Sequence, residues 1–117
     1  MSQKYKDDDR IIKVAMEIVI AAGDARLEAE KALDAVEQFD FDTARKHLEA
    51  ARENIQKAHN AQTEIIQAEI AGEESFQPSL LFNHAQDTLM TIITEVNLTE
   101  KMVKLFDALN RRLEERL

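Results

Sequence analysis

The chain has no cysteine and no tryptophan, and only one proline and two glycines in 117 residues. Each shortage excludes something. Without Cys there are no disulfides, thiolate metal sites or thiol nucleophiles, which suits a reducing, cytoplasmic compartment. So little Gly and Pro excludes a β-rich fold, because strands in a domain of this length need many tight turns. No apolar run approaches the roughly 20 residues that cross a bilayer. Met1 to Arg10 lacks the apolar stretch of a secretory signal. Basic residues are also in short supply: 15 Lys and Arg against 23 Asp and Glu leave a net charge of −8. That balance argues against nucleic acid, whose binders need a basic face, and against direct contact with an anionic membrane. The expected partner is another protein.

What remains is the composition of one soluble helical domain spanning 1–117, with 1–8 expected to be a flexible N-terminus. Two interruptions divide it. At Gln38-Phe39-Asp40-Phe41-Asp42 an apolar pattern breaks, and Asp40 or Asp42 is suited to be an N-cap. Gly72 reads as a helix stop, with Ser75 to Pro78 leading into the next helix. The expectation is an all-α, antiparallel three-helix bundle with helices at about 8–37, 41–71 and 79–115. In the second helix Ala44, Leu48, Ala51, Ile55, Ala58, Gln62 and Ile65 recur at alternating steps of four and three, the seam of a left-handed bundle.

The first and third helices are apolar around more of their circumference. Between Ile11 and Ala22 only Lys13 and Glu17 are charged. In the third helix Leu81, Ala85, Leu89, Ile92 and Val96 form one face while Phe82, Met90 and Ile93 lie on another. A three-helix bundle buries one side of each member, so the surplus predicts self-association. Met16, Met90 and Met102 stand at core spacing and read as packing residues. Gly23 suits a close helix approach or a slight bend.

Within the third helix Leu80, His84, Asp87, Thr91, Thr94 and Leu98 share a stripe, so a histidine and a carboxylate sit in apolar company. Two readings stand. His84 and Asp87, one turn apart, form a local hydrogen bond in a solvated groove. Alternatively the stripe faces a symmetry axis, where copies of Asp87 meet and a divalent cation relieves their repulsion. His47 reads as an exposed residue without a task, and His59, with Gln62 and Thr63 nearby, as structural. No Gly-rich phosphate loop is present.

His84-Ala85-Gln86-Asp87-Thr88-Leu89-Met90 closely resembles the HAQDHLM signature of the lactose/cellobiose-type enzyme IIA of the bacterial phosphoenolpyruvate-dependent sugar phosphotransferase system. Ala22-Gly23-Asp24-Ala25-Arg26, Asp40-Phe41 with Ala44, and Ala58-His59-Asn60-Ala61-Gln62-Thr63 resemble further segments of that family, so the likeness spans about 11–110. The resemblance implies three long helices per chain assembled as a homotrimer. It implies that His84 is phosphorylated on Nε2 by the phosphocarrier HPr. The phosphoryl group is then passed to a cysteine of the IIB component, and on to sugar entering through IIC. It also implies one structural Mg2+ held by Asp87 from three subunits. Gln86, Thr88 and His59 are supporting positions; Thr88 stands where the family commonly has a second histidine. An ordinary imidazole, with pKa about 6.5, is largely unprotonated and nucleophilic at neutral pH, and transfer between imidazoles depends mainly on positioning and electrostatics.

Two other readings compete. One is an inert helical adaptor whose apolar third helix docks a partner. The other is a histidine phosphotransfer domain, but its usual His-x-x-Lys-Gly is absent: Asp87, Gln62 and Ala50 stand three residues after His84, His59 and His47.

Overall fold

The computed structural model describes residues 2–72 and 79–117, with side chains from Asp9 onward. Three helices follow one another: α1 (Ser2–Glu37), α2 (Phe41–Ile70) and α3 (Leu80–Arg116). No strand occurs among the described residues. The molecule is a rod, 72 × 22 × 18 Å. The sequence places α1 six residues too late; no Gly or Pro between Ser2 and Ile11 breaks a helix.

The ends are set by specific chemistry. Asp40 caps α2: its carboxylate accepts from the Thr43 backbone N–H at 3.1 Å and from the Thr43 hydroxyl at 2.7 Å. The tight reversal before it puts Phe39 at φ +55, and the Phe39 and Phe41 rings meet edge-on, centroids 6.3 Å apart. At the other end of α2, Gly72 adopts φ +74, the left-handed conformation that stops helices at little cost for Gly alone. Ser79 is the N-cap of α3, accepting from the Phe82 N–H at 3.1 Å. The expected lead-in at Ser75 to Pro78 lies outside the described residues.

Cross-helix pairs define the topology. Glu28 with His47 shows that α1 and α2 are antiparallel, and Gln62 with Gln86 and Arg45 with Asp107 show the same for α2 and α3. α1 and α3, each antiparallel to α2, run in the same direction, and Arg26 reaches Glu95 across them. The main core contains Val14, Ile18, Ala22, Ala25, Ala58, Ile65, Leu89, Ile92 and Val96. A second cluster joins Ala32, Phe41, Ala44, Leu48 and Val103 at the α1–α2 turn. The predicted α2 seam is thus the observed one, with Ile55 and Gln62 half-buried. Alanine at so many seam positions lets the axes approach closely.

Met16, Met90 and Met102 are not core residues of the single chain: they are 46%, 61% and 42% exposed. On a helix that is apolar nearly all round, spacing alone does not tell the inner face from the outer one. His47 likewise has a partner: its Nδ1 lies 2.6 Å from Glu28 Oε2.

The polar pairs lend the bundle a pH dependence. The hydrogen bond from His47 holds the Glu28 carboxyl below its usual range, and that from Arg52 does the same for Glu100. A depressed carboxyl stabilises the fold fully above its unfolded pKa of about 4.3 and loses this as pH falls through the lower folded value. The urea midpoint is therefore expected to drop between neutral pH and about pH 3.5, and Glu28→Gln with Glu100→Gln to flatten that drop. These groups are partly solvated, so each pair is worth at most about 1 kcal/mol.

Candidate functional site

α3 positions the candidate residues. Its cap at Ser79 fixes the first turn, and His84 follows in the second. One face of the helix (Ala85, Leu89, Ile92, Val96, Thr99, Val103) is buried against α1 and α2. That leaves His84, Asp87, Thr91 and Thr94 exposed on the outer face. Three flanking contacts hold this face in place. Arg26 grips Glu95 with two bonds of 2.8 and 2.9 Å. Arg52 donates to Asn97 at 2.9 Å and pairs with Glu100. Gln62 Nε2 donates to Gln86 Oε1 at 3.1 Å.

On the stripe itself, the threonine hydroxyls turn inward to their own helix. Thr91 donates to the Asp87 carbonyl at 2.9 Å and Thr94 to the Met90 carbonyl at 3.3 Å. The side chains of His84 and Asp87 bond neither to each other nor to any other described residue. The local His84–Asp87 hydrogen bond is therefore not formed, and the Asp87 carboxylate is exposed. No group of three His, Cys, Asp or Glu side chains among the described residues could hold a metal ion.

The supporting positions are not gathered around His84. Gln86 points to α2, where Gln62 engages it. Thr88 is half-buried, in the row of His84 and Glu95 beside α1. His59 is exposed on α2, its Nδ1 3.4 Å from the Thr63 hydroxyl. The Arg26–Glu95 clamp was not visible in the sequence, since its partners are 69 residues apart and become neighbours only once α1 and α3 are known to be parallel. A hollow of about 340 Å³ between α1 and α2, lined by Glu17, Ile20, Asp24, Asn54 and Lys57, contains none of the candidate residues.

The arrangement is a helical platform offering one imidazole to solvent, with no hydrogen-bond partner for it among the described residues. Comparison with known proteins decides what such a platform belongs to. The sequence model of the family described as "PTS system, Lactose/Cellobiose specific IIA subunit" matches residues 13–107. The chain belongs to this IIA family. It is 40% identical over 98 residues to the lactose-specific EIIA component of Lacticaseibacillus casei, covering 84% of this chain and 87% of the relative. The fold is similar to the crystal structure of the cellobiose-specific enzyme IIA from Bacillus anthracis, with TM-score 0.77, 34% identity, and 85% and 90% of the two chains covered. It is also similar to the chitobiose IIA in the solution structures of its complex with HPr, from the Escherichia coli phosphotransferase system, with TM-score 0.74, 33% identity, and 86% and 96% covered.

Membership makes the chain a phosphoryl carrier of sugar uptake, a role that needs one exposed acceptor rather than a closed catalytic pocket. No helix among the described residues is long and apolar enough to cross a membrane.

Proposed function

We propose that this IIA subunit accepts a phosphoryl group from phospho-HPr on His84 Nε2 and passes it to the cysteine of a IIB component in a lactose/cellobiose-type system, in the cytoplasm. The observation that carries this reading is the exposed, unpartnered His84 on a helix clamped from both sides, in a chain of the IIA family. In the first step Nε2 attacks phosphorus, an N–P bond forms, and the donor imidazole leaves with the electron pair of the N–P bond that breaks. In the second, the IIB thiolate attacks phosphorus, a P–S bond forms, and the Nε2–P bond breaks with its electron pair returning to Nε2, so that His84, still carrying its Nδ1 proton, leaves as neutral imidazole. Transfers of this kind have loose transition states, so the contribution of this chain is to hold the nitrogen in line. The transfer through His84 needs no second imidazole at Thr88. The adaptor reading predicts no covalent change at all.

The same reading includes a homotrimer with the Asp87 stripe towards the three-fold axis. Its support is the run of exposed apolar residues that continues the stripe along α3: Leu98, Met102, Leu105, Leu109 and Leu113. One chain supplies a single carboxylate there, but three would supply the hard oxygen donors that suit Mg2+ with waters completing its shell. The group fits, and its role is structural. Replacing Asp87→Leu should abolish metal binding while keeping or strengthening the trimer, because like charges near the axis are removed and apolar surface is added. Light scattering and metal titration read both; a fall to monomers would assign assembly to the metal.

The function is tested by intact-mass spectrometry after incubation with phosphoenolpyruvate, enzyme I and HPr. One acid-labile phosphoryl group per chain is expected, chased off by IIB. An unmodified chain, with partners shown active on another IIA, would leave the adaptor reading. The sugar follows from the transporter: the relatives above are named for lactose, cellobiose and chitobiose.

A further inference from the structure

Gly23 sits in the middle of a 36-residue helix, where glycine is unfavourable relative to alanine. Nothing in its own chain explains it: a Cβ built there meets no atom within 4 Å. Around it on the outer surface of α1 lie Ile12, Met16, Ile20 and Leu27, respectively 47%, 46%, 58% and 50% exposed. An unfilled notch inside an uncovered apolar stripe is a site of close approach by something outside the chain.

The chain itself carries a complement. The outer surface of α3 has two edges. His84, Thr88, Thr91 and Glu95 form the edge beside α1, identified by the Arg26–Glu95 clamp. Met90 forms the other, since Gln86 before it and Asn97 after it, on the same side of the helix, are both bonded to α2. Met90 is 61% exposed and points away from α1 of its own chain. If the Asp87 stripe lies between these edges and faces a rotation axis, cyclic symmetry sets the α1 edge of each chain against the Met90 edge of the next. Heights match as well. Rotation about an axis along the bundle preserves height, and the clamp puts Arg26 level with Glu95. Gly23 lies three residues before Arg26 and Met90 five before Glu95, so Met90 falls between the heights of Ile20 and Gly23.

We infer that the Met90 side chain of one chain packs into the notch at Gly23 of its neighbour, making α1 the second half of the subunit interface. This rests on the trimer reading above and adds to it a contact that a seam of α3 helices alone does not require. Methionine suits the place, being long and flexible enough to fill an irregular hollow.

The chain has no native cysteine, so the test is clean. Light scattering on the unaltered chain comes first, then treatment of Gly23→Cys/Met90→Cys with a short bis-maleimide. A trimer by scattering, with covalent trimers of the double variant on a denaturing gel and none from either single variant, is expected. A trimer whose double variant stays a single chain on the gel would overturn the Met90–Gly23 contact and leave the trimer standing; a monomer by scattering would overturn both. As an independent measurement, Gly23→Leu, whose Cβ meets open space within its own chain, should weaken trimer association at least about tenfold. Unchanged association would likewise overturn the contact.

Discussion

His84→Ala should take up no phosphoryl group from phospho-HPr, while its urea midpoint stays within about 0.5 kcal/mol of the unaltered chain. Both halves follow from the same geometry. His84 is exposed and bonds to no other described side chain, so its removal breaks nothing in the fold. The other two histidines cannot replace it. His47 is held by Glu28, and His59 stands on α2, outside the stripe. Mass spectrometry and circular dichroism on one preparation read the two halves together. Residual acid-labile phosphate on the variant would move the acceptor to another residue.

The largest stability effect is expected at Leu89, two positions past Asp87 and on the opposite side of α3. Leu89 is fully buried in the main core, among Ala15, Ala22, Ala58, Ala85 and the β-branched Ile18 and Ile92. Alanine neighbours have no side chain to swing into a gap, so Leu89→Ala leaves a cavity that does not collapse. A loss of about 2–5 kcal/mol follows, a large share of the roughly 5–15 kcal/mol that holds a domain together. The urea midpoint at fixed protein concentration measures it; a loss under about 1 kcal/mol would mean that the helices close around the gap.

The contrast between these two positions of α3 shows what could be read from the sequence. Helix number, the α2 seam and the Asp40 cap were legible because each is a local pattern of spacing and side-chain chemistry. The His84 stripe was legible because polar residues at helical spacing interrupt an apolar run. The orientation of Gln86 was not. Its partner Gln62 is 24 positions away on another helix, and the two residues that separate Gln86 from His84 in sequence turn it by about 200° around the helix. Met16, Met90 and Met102 were misplaced for a related reason. A helix with two apolar sides fits two packings equally, and only the positions of the other helices decide between them.

The presence of a single acceptor at the edge of its stripe, His84, also governs traffic under the proposed function. If, as proposed, a single nitrogen serves giver and taker in turn, the two partners compete for the same ground and are not bound together. Each must leave before the other arrives, and throughput is limited by departure as much as by chemistry. Tight docking on either side would slow the relay. A carrier with a net charge of −8 has another means of being found quickly: long-range attraction by a partner with a basic face would raise the encounter rate without lengthening the stay.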